Sequence, residues 1–170
     1  NNAAIAAAVY ETRGLVVVDA DLNLITAAFH SNCGGQTHNS EDVWTLPKSY
    51  LRSVKDTFCT TQPHSGWQRK VSLSDWNSYI SLKEKGNLDI QPDTAFVNGM
   101  SSLAGYQNTY YMSNGKKIPM KEIRNDWQLK STTFRIEQVN DTLVFKGRGY
   151  GHGVGLCQEG AMQMAKRGIS

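Results

Sequence analysis

Apolar runs alternate with polar, glycine-bearing stretches along this chain, and their lengths predict its elements. Ala3 to Thr12 is rich in alanine and predicts a short helix stopped by Gly14. Leu15 to Asp19 and Leu22 to Phe29 are β-branched or apolar runs about a short polar turn, which predicts a hairpin. That hairpin would deliver the polar segment His30 to Trp44 to a sheet edge or cleft. Thr45 to Gly66 lacks periodicity and reads as a long ordered loop. Trp67 to Leu73 is a strand, after which Ser74-Asp75 can cap a helix running to about Lys85, before Gly86. Asn87 to Asn114 is polar and unassigned, Lys116 to Met120 reads as a strand, and Met120 to Trp127 as a helix. Thr132 to Val139 and Thr142 to Lys146 flank Asn140-Asp141, a two-residue turn. Gln158 to Arg167 has helical composition.

Strands and helices are segregated more than alternated, which gives an α+β class, mixed helices and antiparallel β-hairpins forming a substrate cleft. A length of 170 residues predicts one domain, residues 1–170, able to bury a core without an obligatory staple. Charged residues make up 19%, and the net charge of +3 is scattered, which excludes a nucleic-acid surface but is compatible with an anionic polymer. No window is apolar enough for a membrane span, and the N-terminus lacks the features of a signal peptide. The start at Asn1 without a methionine reads as a trimmed chain. Three cysteines, Cys33, Cys59 and Cys157, permit at most one internal disulfide.

Chemistry concentrates in Gly147 to Gly160, G-R-G-Y-G-H-G-V-G-L-C-Q-E-G, which holds six of the fifteen glycines. Such density implies unusual backbone angles or a close approach to the main chain. The run lacks the phosphate-loop signature, and no carboxylate lies about twenty residues downstream as a dinucleotide fold requires. A tight structural bend around a core His152 is the plain alternative. Cys157, before a helix, has the setting of an activated thiol but packs equally well as a small apolar residue.

His30, Cys33, His38, Cys59 and His64 have ligand types and spacings that tetrahedral zinc accepts. A Cys33 to Cys59 disulfide with unrelated histidines is an equal reading, and free thiols a third. Glu41-Asp42, between Ser40 and Val43-Trp44, places acids near apolar groups that favour a protonated carboxyl. The same S-E-D serves as a helix start or a loop hydrogen-bonding node.

Taken together, F-H-S-N-C-G-G-Q-T-H-N-S-E-D-V-W (Phe29 to Trp44), Y-L-R-S-V-K-D (Tyr50 to Asp56) and the glycine run to Ala161 resemble the stage II sporulation protein D and amidase-enhancer family. The resemblance implies an extracytoplasmic lytic transglycosylase of the cell envelope, cutting peptidoglycan glycan strands stripped of stem peptides during cell-wall remodelling or engulfment. The alternative it implies is a noncatalytic glycan-binding module that enhances a partner amidase. The family's catalytic glutamate lies in a helix resembling P-x-E-x-L-K-A-Q-A. That motif is absent here, which reads as truncation at the N-terminus, with a second truncation at the C-terminus. Glu41 is the remaining candidate acid. Ser40, Glu41, Asp42, Arg148, Tyr150, His152 and Gln158 are the expected substrate-binding residues, with Arg148 suited to a lactyl carboxylate. The segment resembling C-x-x-x-P-H-x-x-W, met by Cys59, Pro63, His64 and Trp67, implies that Cys33 and Cys59 meet through a disulfide or a shared zinc. In the zinc reading His30 and His64 complete the set, with His38 as substitute.

Overall fold

The computed structural model describes residues 2–44, 46–84, 110–113 and 116–169. In chain order its elements are α1 (Ala3–Glu11), β1 (Phe29–His30), α2 (Ser40–Val43), β2 (Gly66–Ser72), α3 (Leu73–Glu84), β3 (Tyr110–Ser113), β4 (Lys116–Pro119), α4 (Met120–Asp126), β5 (Phe134–Val139), β6 (Thr142–Arg148), β7 (Leu156–Cys157) and α5 (Gln158–Lys166). The class is α+β, and among the described residues no sheet closes into a barrel.

Period-two patterning builds the main sheet. Phe134 and Ile136 of β5 are buried while Arg135 between them and Glu137 after them are more exposed. The chain reverses at Asn140, whose left-handed φ of 52° an asparagine tolerates, and returns as β6. On its other side β6 pairs with β2, giving the antiparallel order β2-β6-β5. A side chain at Gly147 would place its Cβ 2.1 Å from the Trp67 ring, so glycine there leaves the slot that the indole fills. Trp67 Nε1 then donates to Ser131 Oγ at 3.0 Å.

The helix after β2 starts two residues earlier than a cap at Ser74 predicts. Ser72 Oγ accepts the Asp75 N–H at 3.0 Å, so the strand's last residue is also the cap. The helix delivers Trp76 and Ile80, four residues apart and both buried, to the face of the sheet. Trp76 is the centre of an aromatic core, with ring centroids 5.2 Å from Phe145, 5.5 Å from Tyr79 and Tyr111, and 5.9 Å from Trp127. Met120 and Ile123 of α4 close the same cluster. The β3–β4 hairpin contributes Tyr111 and Ile118. Its second strand was legible; its first falls at the end of the unassigned polar stretch, most of which lies outside the described residues, as does the predicted helix end at Lys85.

The predicted hairpin over 15–29 is reduced to a single bridge, Val18 to Leu24, around a turn that Asp19 Oδ1 ties to the Asp21 and Asn23 amides. The reason is burial. Leu15, Val16, Val17, Leu22 and Leu24 are all exposed, so no packing rewards extending the ladder. α1 likewise buries none of its residues.

Removing the ring at the centre of the core tests this account. Trp76→Ala is expected to lower unfolding free energy by about 3–5 kcal/mol in urea denaturation; a loss below about 1 kcal/mol would show that the aromatic cluster does not organise the domain.

Candidate functional site

Two segments distant in sequence are laced together by their backbones. Asn32 and Tyr150 exchange both hydrogen bonds, at 3.1 and 2.7 Å. The His38 N–H donates to Gly153 O at 2.8 Å, Leu156 N–H to Ala28 O at 2.9 Å, and Glu159 N–H to Ser31 O at 3.0 Å. β1 and β7 run parallel between them, with His30 opposite Cys157. The glycines make this possible. Gly149 and Gly155 have φ of 78° and 76°, and a Cβ on either would meet Asn32 O at 2.6 Å or Ala28 O at 2.3 Å. The close approach that glycine permits here is therefore to the chain's own backbone.

This lacing buries polar groups, and each needs a partner. Asn32 Nδ2 donates to Cys59 O at 3.0 Å and to Glu159 Oε2 at 2.6 Å, while Asn32 Oδ1 accepts the Gly34 N–H at 2.7 Å. His64 Nδ1 meets the other Glu159 oxygen at 2.5 Å. Burial works against the Glu159 carboxylate, but the bonds from Asn32 and His64 outweigh it and keep its pKa below the usual value. His38 Nε2 pairs with Thr133 Oγ1 at 3.0 Å. His30 Nδ1 donates to Val154 O at 3.1 Å, which leaves Nε2 as the free nitrogen, buried without a hydrogen-bond partner.

Over this polar layer lies a face of rings. Trp44 and His152 have centroids 5.4 Å apart, and Tyr150 and His64 5.1 Å. Lys130 Nζ sits 5.7 Å from the Tyr150 centroid. His152 Nδ1 accepts the Val154 N–H at 3.1 Å, which directs the ring's N–H to Nε2. Burial, then the neighbouring His30, holds the His152 pKa below 6.5. Of the other expected binding residues, Arg148 and Gln158 are exposed.

The S-E-D segment is a clamp. Ser40 is fully buried, with its Oγ accepting the Lys48 N–H at 2.7 Å. Asp42 Oδ2 accepts from Asn39 Nδ2 at 2.9 Å. Arg52 grips both oxygens of Glu41, with Nη1 to Oε1 at 2.7 Å, and this pairing first of all lowers the Glu41 pKa to about 2. The expectation that Glu41 serves as an acid is thereby corrected, because an exposed carboxyl ionised at neutral pH has no proton to donate.

The cysteines gather with partners the spacing did not indicate. Cys33 Sγ lies 3.3 Å from Cys59 Sγ, Cys33 N–H donates to Cys157 Sγ at 3.3 Å, and Asp56 Oδ2 is 3.4 Å from Cys33 Sγ. Single donor atoms of Cys33, Asp56, Cys59 and Cys157 all fall within 4.8 Å of one another. None of the three cysteines is joined in a disulfide. Of the histidines expected to complete the set, His64 is turned to Glu159 and the substitute His38 holds Thr133, whereas His30 holds Val154 through Nδ1 alone and keeps Nε2 open toward Cys157. Cys157 takes a hydrogen bond from Cys33, which lowers its pKa to about 5, while the Cys33 thiol is pushed up by giving that bond and by burial. Burial likewise raises Cys59. A set with one thiolate and two reluctant thiols suits a thiophilic cation, which would favour all three as thiolates. Asp56 was within sequence reach, since it ends Y-L-R-S-V-K-D, but nothing local assigns it as a ligand.

No family model matches the chain. It is 32% identical over 146 residues to stage II sporulation protein D of Bacillus amyloliquefaciens, covering 86% of this chain and 41% of that protein. Its counterpart in Bacillus subtilis (strain 168) is 31% identical over 144 residues, 85% of this chain and 40% of the relative. The chain belongs to the family of stage II sporulation protein D and the amidase enhancer. The Bacillus subtilis amidase enhancer aligns with 96% of this chain at 25% identity, over 30% of its own length. This family member thus spans about two fifths of the length of the sporulation relatives it matches.

The buried imidazoles give this family member a pH signature. Burial first lowers His38 from 6.5 in the fold, so protonation favours the unfolded chain. The stabilisation is complete above about pH 6.5 and is lost as pH falls through the lower folded value. The thermal midpoint is expected to drop between about pH 7 and pH 5, and His38→Gln to flatten the drop. Equal slopes in both proteins would contradict this.

Proposed function

We propose that this chain forms the glycan-engaging part of a cell-wall protein of the lytic transglycosylase type, acting outside the cytoplasm on peptidoglycan strands stripped of stem peptides. The observation that carries the reading is the Trp44–His152 and Tyr150–His64 ring pairs, set over a base laced by backbone hydrogen bonds, in a chain of this family. Aromatic faces present large rigid contact area to the apolar faces of sugar rings. Such cleavage needs one carboxyl group: it protonates the leaving glycosidic oxygen, then as carboxylate accepts the proton of the C6 hydroxyl that attacks the anomeric carbon. Glu41 is ionised against Arg52 and Glu159 is bonded to Asn32 and His64, so in this reading neither of these two supplies the acid.

A second reading is a noncatalytic glycan-binding module that enhances a partner amidase. It is favoured by the same observation, since neither of these two carboxylates is poised to give up a proton. Full-length protein digesting peptide-free strands is expected to yield anhydro-muramyl ends by mass spectrometry. Hydrolytic ends would overturn the transglycosylase mechanism, and stimulation of an amidase without new glycan ends would favour the second reading. In either case Tyr150→Ala and His152→Ala are expected to weaken strand binding by about tenfold or more.

We further propose that Cys33, Cys59, Cys157 and Asp56 hold a structural zinc ion. When bound, zinc would neutralise the thiolates and cross-link the three segments that carry them. Elemental analysis is expected to find about one zinc per chain, with chelation lowering the thermal midpoint. Metal-free protein whose mass shows an oxidised cysteine pair would overturn this.

A further inference from the structure

Partly burying a guanidinium costs hydration free energy that a counter-ion ordinarily offsets. Arg124, on the last turn of α4, is half-buried, and its Nε is shut from water with no hydrogen-bond partner. Among the described residues no carboxylate pairs with it. Glu122 and Asp126 on the same helix both turn to Lys83, at 3.3 and 2.8 Å. Glu41 is taken by Arg52, and Glu159 by Asn32 and His64. The Trp127 indole N–H, less than a turn further on, is also buried without an acceptor.

The position of Arg124 is fixed against the ring face. The Leu129 N–H donates to Arg124 O at 2.8 Å, and the Gly151 N–H donates to Lys130 O at 2.9 Å, so this turn is stitched to the glycine run between Tyr150 and His152. Lys130 leans over Tyr150, and Arg124 lies within electrostatic reach of both Tyr150 and His152. Arg148, which the family resemblance nominates for a carboxylate, is exposed and already has an interaction of its own.

We propose that Arg124 is the specificity-determining residue through which this face recognises a ligand carboxylate, namely the lactyl carboxylate of a muramoyl unit bearing no peptide, an inference that rests on the glycan reading above. A stem peptide converts that carboxylate into a neutral amide and adds bulk. A half-desolvated guanidinium that no described carboxylate neutralises therefore separates the two forms by charge, through two parallel N–H···O bonds to the free acid. Its hydration has already been surrendered in part on folding, so binding the anion costs less than at an exposed arginine.

Calorimetry on the full-length protein tests this with three probes of equal length: a muramoyl-glucosaminyl oligosaccharide with free lactyl carboxylates, its lactyl amide, and a chitin oligosaccharide. The wild type is expected to prefer the free acid over the amide by about tenfold or more, with the preference shrinking as salt rises. Arg124→Gln is expected to abolish the preference while leaving chitin binding unchanged, and Arg124→Lys to keep part of it. A wild type that binds acid and amide equally overturns the proposal while the glycan reading stands. Preference retained in Arg124→Gln also overturns it. Absence of binding to all three probes by the wild type overturns the glycan reading and this proposal with it.

Discussion

A carboxamide shut away from water must have its donors and its acceptor filled, and Asn32 fills them from separate parts of the chain. Its backbone pairs with Tyr150 in the glycine run, its NH2 group reaches Cys59 O and Glu159, and its oxygen caps the Gly34 amide. With 1% of its surface exposed, it has no solvent to substitute for a missing partner. The ring face depends on that joint. Glu159 orients His64 beside Tyr150, and the same ladder that begins at Asn32 sets the height of His152 under Trp44.

The fold therefore has two interiors of opposite character. One is aromatic, centred on Trp76, and owes its stability to burial and ring packing. The other is polar and thiol-rich, running from His30 to Ser40 and from Gly147 to Glu159, and owes its shape to directional bonds. β6 joins them, since Phe145 packs against Trp76 while Arg148, three residues on, already belongs to the polar side. α4 reaches both: Ile123 packs in the aromatic cluster, and the turn that follows Arg124 is tied through Lys130 O to the Gly151 N–H of the glycine run.

Where local pattern and tertiary packing agreed, the sequence was legible. The β5–β6 hairpin with Asn140 at its turn, the helix α4 and the helix α5 follow from period and turn chemistry alone. The apolar runs around Asp19 carry an equally good strand pattern, yet they have no surface to pack on and form one bridge. The site was half legible for a related reason. Cys33, Cys59, Tyr150 and His152 stand out by residue type, whereas Asp56, Asn32 and Arg124 are ordinary residues in ordinary stretches. Their roles arise from contacts across long sequence separations, such as the 127 residues between Asn32 and Glu159. Glu41 misled because Val43 and Trp44 follow it closely in sequence while its partner in space is Arg52.

Ordinary strands are held in register by which side chains they bury. The glycine run is held differently. Sliding it by one residue against the 28–38 segment would drive a Cβ into the Ala28 or Asn32 carbonyl, so single steps are barred by hard contact. Sliding it by two would lay glycine on glycine along most of its length, and the ladder itself offers no objection. What forbids that step stands at the two ends, the Gly147 slot filled by Trp67 and the place of Cys157 among the other thiols. The thiol cluster thus acts as the index mark of a ratchet, selecting which of several equivalent notches brings Tyr150 and His152 to the outer face.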